Sequence, residues 1–447
     1  MEYISRLIFL SILVLGVGFF IKNIKKLLRN IRLGKDINRS DNKDVRWRNM
    51  AKIALGQYKM VVRPVSGILH IIVYVGFIII NIEVLEIIVD GLFGTHRAFG
   101  FLGGFYSFLI GSFEILALLV FVAVVIFWIR RNVIRIKRFL SPEMKGWPKM
   151  DGNLILYFEM VLMSLFLLMN AADYQLQLNG AAHYASADGI VGAFPVSQYL
   201  LSLFNGLSTS TLILIERAAW WIHIIGILTF LNYLYYSKHL HILLAFPNTW
   251  HAKLKPKGEL DNLQSVTDEV MLMMDPNADP FAAPAEGADD ASDSEKFGAS
   301  DVTDLNWVQL MNAYSCTECG RCTSECPANQ TGKKLSPRKV MMDTRDRLEE
   351  VGKNIEANGS FKDDGKQLLD DYITKEELWA CTTCNACTEA CPISIDPLSI
   401  IMEMRRYMVM EESSAPSDLN NAMTNIENNG APWPFNQMDR GNWIQEN

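Results

Sequence analysis

The fold is decided by the stretch Cys316-Thr-Glu-Cys-Gly-Arg-Cys-Thr-Ser-Glu-Cys326-Pro and by its repeat, Cys381-Thr-Thr-Cys-Asn-Ala-Cys-Thr-Glu-Ala-Cys391-Pro. Each run has the spacing C-x2-C-x2-C-x3-C-P, and the two runs hold all eight cysteines of the 447 residues. In this spacing, three thiolates of a tight loop reach three irons of one cubic cluster, and the fourth points to the other cluster. The runs therefore predict two [4Fe–4S] clusters with crossed ligands.

The crossed arrangement uses every cysteine. One cluster takes Cys316, Cys319, Cys322 and Cys391, and the other takes Cys326, Cys381, Cys384 and Cys387. Pairs of the form C-x2-C also bind zinc, but a zinc site does not need four cysteines twice at this spacing with a trailing proline. The residues between the runs have a helical pattern. We therefore predict an α-helical ferredoxin-type domain over residues 304–412, followed by a C-terminal tail at 413–447.

Residues 251–303 separate this domain from an apolar N-terminal half at 1–250. The middle of the segment is acidic and rich in alanine and proline, with little that a core could bury. Such a composition is typical of solvated connectors, so we predict a flexible linker. The net charge of −7, without a basic patch, argues against a nucleic-acid partner.

Five segments of the N-terminal half are apolar over about the 20 residues that a bilayer-crossing helix needs. They lie at residues 4–21, 65–88, 106–129, 154–169 and 211–235. The sequence therefore predicts an all-α protein, in which a five-span membrane bundle surrounded by lipid precedes the ferredoxin domain.

The loops between these spans differ sharply in charge. Lysines and arginines crowd residues 22–63 and 130–149, whereas residues 95–104 contain only Arg97 and residues 173–210 contain neither lysine nor arginine. The positive-inside rule then places the N-terminus outside and the cationic loops in the cytoplasm. Five spans put the cysteine domain in the cytoplasm as well, where thiols stay reduced. We expect a multi-pass protein of a bacterial cytoplasmic (inner) membrane.

Several histidines lie in or beside the spans, where ionisable side chains are costly and usually functional. His223 and His241 are separated by five helical turns, so one continuous helix would present both on one face about 27 Å apart, with His239 nearly opposite. His70, near the cytoplasmic end of the second span, is the predicted partner of His241 around a b haem. A second haem at His223 would need His96, or alternatively His183, as its other ligand.

The segments that contain His70 and His241 resemble segments of known membrane cytochromes. Tyr236-Ser-Lys-His-Leu-His241-Ile and Gly67-Ile-Leu-His70 resemble the gamma-subunit family of respiratory nitrate reductase and the cytochrome b subunit of heterodisulfide reductase. In that family a further ligand follows ten residues after the position of His70, where this chain has Ile80. The cysteine domain resembles the iron–sulfur subunit of heterodisulfide reductase. The fusion is similar to membrane iron–sulfur oxidoreductases, which usually continue into cysteine-rich CCG repeats that this sequence lacks.

The resemblance implies an electron-transfer subunit of an oxidoreductase. Electrons would pass between a cytoplasmic partner, the two clusters, a b haem and menaquinone. The implied partner is a CCG-domain iron–sulfur subunit or an electron-transfer flavoprotein or its dehydrogenase. Two alternatives stay open from the sequence: a subunit of a heterodisulfide reductase-like thiol/disulfide oxidoreductase, and a membrane redox sensor or scaffold.

Overall fold

The computed structural model describes residues 2–185, 189–256, 258–275 and 296–445, and over these ranges the chain is helical, with isolated bridges and no β-strand. The predicted all-α architecture is confirmed. The helices are α1 (Glu2–Ile31), α2 (Lys43–Met50), α3 (Pro64–Phe93), α4 (Gly104–Asn132), α5 (Trp147–Leu178), α6 (Thr209–Tyr233), α7 (His241–Trp250), α8 (Gln264–Met274), α9 (Trp307–Ser315), α10 (Arg321–Glu325), α11 (Pro327–Gln330), α12 (Pro337–Asn358), α13 (Leu368–Asp371), α14 (Lys375–Trp379), α15 (Ala386–Ala390), α16 (Pro397–Met410) and α17 (Ser417–Asn429).

The first four predicted spans each lie within one long helix, and the fifth extends two residues beyond the end of α6 at Tyr233. Helices α1, α3, α4, α5 and α6 are long and apolar enough to cross a bilayer. The helices pack in the order α3, α4, α5, α6 and α1, with α1 also touching α3. The fourth span is longer than predicted because α5 begins at Trp147 and ends at Leu178. Polar residues extend it at both ends, and Asp151, Asn170 and Asp173 are all buried inside the protein.

The last span does not continue into α7. After Tyr233 the chain makes a 3-10 turn, becomes extended at Ser237 and makes a second 3-10 turn before His241. Asp151 of α5 fixes this break, because its carboxylate accepts hydrogen bonds from Tyr233 Oη at 2.5 Å, Ser237 Oγ at 2.7 Å and Lys238 N at 3.1 Å. The predicted continuous helix from His223 to His241 is therefore wrong.

The cysteine domain is built around α12. Ser336 caps its first turn by accepting from Lys339 N at 3.4 Å, Pro337 stands at its first position, and Gly359 ends it with a φ of 82°. The buried face of α12 packs against α9 and α16. The same apolar core includes Leu27 of α1 and Leu244 of α7, so the domain is packed onto the end of the membrane bundle.

The segment predicted as a linker is structured at both of its ends. Helix α8 occupies Gln264–Met274, and Ala299 and Val302 are buried in the core of the cysteine domain. The predicted domain boundary at residue 304 therefore falls inside a packed segment. Residue 257 and residues 276–295, where the composition most favours a flexible chain, lie outside the described residues. In the predicted tail, α17 and the 3-10 stretch Gln437–Ile444 have no buried residue.

Replacing Arg347 by methionine should destabilise the cysteine domain by about 3 kcal/mol, because it leaves two carboxylates without their buried counter-ion. The Arg347 side chain has no exposed surface and pairs with Asp301 at 2.8 Å and Asp364 at 2.6 Å. Denaturant unfolding of the solubilised protein, followed by tryptophan fluorescence, measures the change. The control is Lys334→Met, whose exposed pair with Glu376 is worth less than about 1 kcal/mol. Equal effects of the two variants would contradict the assignment.

Candidate functional site

The two cysteine runs fold into loops with the same backbone conformation. Glu318 and Thr383, two residues after the first cysteine of each run, have φ values of 54° and 56°. Gly320 and Asn385, two residues further on, have φ values of 71° and 59°. These left-handed positions curl each loop tightly, and each loop leads into one short helix and then a Cys-Pro step.

The first group of cysteines surrounds one cavity. Helix α10 packs against α15, which carries the last cysteine of the second run across to the first loop. The thiols of Cys316, Cys319, Cys322 and Cys391 all line this cavity, together with the apolar side chains of Met341, Ile393 and Ile395. The structure thus brings together the four residues that the sequence assigned to one cluster.

The second group lies nearer the surface. Burial raises the pKa of the Cys381 thiol, and the neighbouring thiols of Cys326 and Cys384 raise it further. Cys326 and Cys387 are buried, whereas Cys384 is exposed. These four residues are the ones assigned to the other cluster, and Cys384 gives this group access to solvent.

The chemistry of the thiols fits iron–sulfur clusters. Burial raises the pKa of Cys316 to about 12 and that of Cys391 to about 11, so these thiolates form only when bound iron supplies compensating positive charge. Sulfur atoms also accept backbone hydrogen bonds, from Thr383 N to Cys381 Sγ at 3.4 Å and from Ile395 N to Cys391 Sγ at 3.3 Å. Such bonds stabilise a sulfur that carries negative charge.

The spread of the thiols argues against a single bound ion. In the ranges that the structure describes, no three histidine, cysteine, aspartate or glutamate side chains converge closely enough to hold one metal ion. A structural zinc site needs four ligands at about 2.0–2.3 Å from one point. Thiols arranged around a cavity suit a cluster, in which each sulfur binds a different iron.

Two arginines hydrogen-bond the first cysteine loop and the start of α12 to the membrane bundle. Arg321, between Cys319 and Cys322, donates to the carbonyl of Lys59 at 2.9 Å and to that of Met60 at 3.3 Å. The fully buried Arg338, at the start of α12, donates to the carbonyl of Arg138 at 2.7 Å and to Glu143 at 2.6 Å. Both cationic loops of the membrane domain therefore contact the cysteine domain at the first cysteine loop or directly beside it.

Glu318 is a site residue that the sequence reasoning missed. Its carboxylate is buried inside the first cysteine loop, bonded to Lys238 from the end of the last span and to Arg345 Nη1 at 2.8 Å. Burial opposes its charge, but Lys238 and Arg345 together hold the pKa of Glu318 below its ordinary value. The sequence offered a signal when the two cysteine runs are aligned: Glu318 corresponds to Thr383. Because the second run has threonine there, the loop itself does not need an acid.

His70 and His241 face each other, with ring centroids 6.3 Å apart. His241 Nδ1 lies 3.2 Å from the carbonyl oxygen of Lys238, which only accepts, so this nitrogen carries the proton and Nε2 keeps its lone pair. Among the residues that the structure describes, the buried Nδ1 of His70 has no hydrogen-bond partner. Two metal–nitrogen bonds of about 2 Å each, together with two ring radii, roughly add up to the observed separation.

The other histidines are arranged differently from the prediction. His223 is buried beside Phe166, and its Nδ1 has no hydrogen-bond partner. His96 lies 3.0 Å from Asp173 Oδ1 and 5.6 Å, ring to ring, from His183. His239 was expected to point away from His241, but their ring centroids are 5.3 Å apart because the chain breaks at Ser237.

A second cavity lies at the opposite end of the bundle from the cysteine domain. Acidic and basic side chains of four spans and their loops line it: Arg6, Glu83, Glu86, Asp90, His96, Arg97, Asp173, Glu216 and Arg217. Of these, Glu83, Glu86, Asp173 and Glu216 are buried. Arg97 donates to Asp173 at 2.6 Å and to Tyr106 Oη at 3.1 Å. Glu83 has only 4% of its surface exposed, and its Oε2 atom has no hydrogen-bond partner within the part of the chain that the structure describes. The sequence signal for this site was an acid inside an apolar span.

Comparison with known proteins supports the iron–sulfur assignment. The family model described as the 4Fe-4S dicluster domain matches residues 315–395, which include all eight cysteines. The "Probable iron-sulfur-binding oxidoreductase FadF" of Bacillus subtilis is 29% identical over 99% of this chain and 61% of its own length. The "EtfAB:quinone oxidoreductase" of Syntrophomonas wolfei is 25% identical over 97% of this chain and 59% of its own length.

A third relative covers only the cysteine domain. It is one of the subunits of the ferredoxin/F(420)H(2)-dependent CoB-CoM heterodisulfide reductase of Methanosarcina acetivorans, 36% identical over 24% of this chain and 52% of its own length. No solved structure matches the chain. The chain spans about three fifths of the length of the first two relatives. The resemblance to iron–sulfur oxidoreductases is confirmed, while the cytochrome b part of the predicted resemblance stays a prediction.

The crossed ligand assignment predicts a specific result for the fourth cysteine of each run. Cys391→Ser should impair the cluster at Cys316, Cys319 and Cys322, whereas Cys326→Ser should impair the cluster of the second loop. Iron content and the electron paramagnetic resonance (EPR) spectrum of the reduced protein identify which signal is altered, with Cys316→Ser and Cys381→Ser as references. If Cys391→Ser altered the same EPR signal as Cys381→Ser, each run would bind its own cluster and the crossed assignment would be wrong.

Proposed function

We propose that this chain is the membrane electron-transfer subunit of a quinone-linked iron–sulfur oxidoreductase. It passes electrons between a soluble redox partner, two [4Fe–4S] clusters, one b haem and menaquinone. The observation that carries the proposal is the continuous path from His241 through Lys238 and Glu318 to the first cysteine loop. The path continues to the second cysteine group, which reaches the surface at Cys384.

The haem assignment rests on the facing pair of histidines. His70 and His241 would hold the iron, with the Lys238 carbonyl orienting His241. A haem bound there would exchange single electrons with the clusters on one side and with a quinone on the other. The geometry supports one haem. His223 keeps a nitrogen without a hydrogen bond, but His96 is engaged by Asp173, so the pair His223 and His96 has no comparable support.

Quinone exchange needs a membrane-accessible cavity with a group that handles protons. The cavity at the far end of the bundle is lined by charged side chains together with Phe9, Ile87 and Trp220, and the Glu83 carboxylate has an oxygen without a hydrogen-bond partner among the described residues. A quinone reduced there takes two protons together with two electrons, and Glu83 is the side chain positioned to transfer one of them. The relative named a quinone oxidoreductase supports this part of the proposal.

We propose that the cysteine domain lies in the cytoplasm of a bacterial cell. Lys26, Arg63 and Arg338 form ion pairs that join the domain to the bundle, at the end that carries both lysine- and arginine-rich loops. The positive-inside rule assigns this end to the cytoplasm and the N-terminus to the outside.

For the soluble partner, the names of the relatives favour two chemistries. The relative named for EtfAB favours an electron-transfer flavoprotein, whereas the heterodisulfide reductase relative favours a CCG-domain iron–sulfur protein with thiol/disulfide chemistry. The relative named for EtfAB matches most of this chain, including the membrane bundle, so we favour the flavoprotein. Anaerobic reduction of the clusters by each purified partner would decide between them.

His241→Ala should abolish a b-type band in the reduced-minus-oxidised visible spectrum, because it removes one of the two histidines that would hold a haem. The control is His251→Ala, which replaces a histidine at the other end of α7 whose ring makes edge-to-face contacts with Trp250 and Trp307. If the wild-type protein shows no b-type band, or if His241→Ala keeps it unchanged, the haem assignment is wrong.

Glu83→Gln should slow reduction of the protein by a menaquinol analogue at least about tenfold, because the change removes the proton-accepting carboxylate. Dithionite, which needs no quinone site, should reduce the variant as it reduces the wild type. The control is Glu114→Gln, a buried glutamate of α4 that accepts from Val196 N and Ser197 N and does not line the cavity. Equal slowing in both variants would contradict a specific role for Glu83.

A further inference from the structure

The two cysteine loops differ at one position that the backbone does not explain. Glu318 and Thr383 occupy the same place in the repeated loop, with φ values of 54° and 56°. A loop of this conformation needs neither a charge nor a long side chain there, because in the second loop a threonine takes the place and its hydroxyl bonds locally to the carbonyl of Thr382. The glutamate in the first loop therefore serves something outside the loop.

Glu318 reaches a lysine that belongs to the membrane domain. Its carboxylate is 2% exposed and receives hydrogen bonds from Lys238 Nζ and from Arg345 of α12. A buried carboxylate is costly unless it is paired, and here one partner comes from each domain. The Lys238 ammonium, 9% exposed, also donates to the carbonyl of Pro148 at 2.7 Å and lies 3.8 Å from Asp151 Oδ2.

The other end of Lys238 touches the histidine site. Its backbone carbonyl is the acceptor that orients His241 Nδ1, and its backbone N–H is held by Asp151 at 3.1 Å. One residue thus contacts the first cysteine loop through its side chain and the facing histidines through its main chain. The second cysteine run also meets a lysine of the membrane half, because Lys59 lies 3.9 Å from Glu389, but this glutamate is 54% exposed rather than buried.

We propose that Lys238 is a positioning residue that couples the first cluster to the histidine centre. Its ammonium balances Glu318 inside the cluster loop and fixes this loop against the segment that carries His241. The histidine half of the proposal rests on the proposed function, whereas the cluster half needs only the cysteine ligands.

Removing one member of the pair has an effect whose sign follows from Coulomb's law. A carboxylate close to a cluster disfavours the electron that reduction adds, and the lysine ammonium offsets it. Lys238→Met removes this offset, so the reduction potential of the first cluster falls. Glu318→Gln leaves Lys238 and Arg345 without their shared anion, so the potential rises. The double variant lies between the two.

The test is a redox titration of the full-length solubilised protein, with the two clusters followed separately by EPR. Cysteine variants of each loop assign the two signals. We expect opposite shifts for Lys238→Met and Glu318→Gln in the first cluster alone, and near-wild-type behaviour for Lys238→Arg. The control is Lys334→Met, which removes a lysine whose side chain is 69% exposed and should shift neither cluster.

Several results would overturn the proposal. These are unchanged potentials in both single variants, shifts of the same sign, or equal shifts of both clusters. If Lys238→Met does not assemble the first cluster, the reduction potential of this cluster in Glu318→Gln decides alone. A potential equal to or lower than that of the wild type would contradict the proposal. The titration gives its answer in a protein without haem as well, so it is independent of the spectral test of His241.

Discussion

The carboxylate of Asp151 is the interaction on which the arrangement of the two halves depends. It is buried on α5 and accepts hydrogen bonds from Tyr233, Ser237 and the backbone of Lys238. These bonds end the last span and turn the chain before α7 begins. Without the turn, His241 would continue along the axis of α6. With it, His241 faces His70, and α7 packs against α9 immediately before the first cysteine loop.

The two halves are joined by a shared core and by buried charges. Leu27 and Leu244 contribute to the same apolar cluster as Leu310 and Met341 of the cysteine domain. Around this core, Arg338 pairs with Glu143 and Lys238 pairs with Glu318, each pair having one member from either half. Buried ion pairs contribute little net stability but impose geometry, because separating them exposes an uncompensated charge. An interface of this kind suits cofactors whose separation must stay constant during electron transfer.

The repeated cysteine loops have different environments despite a common backbone. The first is covered by the bundle and by Arg321, whereas the second leaves Cys384 in contact with solvent. Burial and hydrogen bonding to sulfur both tune cluster potentials. In the proposed function, this asymmetry would place one cluster next to the membrane bundle and the other where a soluble partner can reach it.

The sequence by itself determined the five long apolar helices and the all-helical domain, because apolar length is a local property. Its loop spacing also predicted the grouping of the eight cysteines. It also paired His70 with His241, although from a helix that does not exist as predicted. Only the tertiary structure decided the break at Ser237, since Asp151 lies 86 residues away from it in sequence. For the same reason, only the tertiary structure paired Lys238 with Glu318 and placed Glu83 in the lining of a cavity. A side chain's partner across a bundle depends on how helices pack, and no local pattern records it.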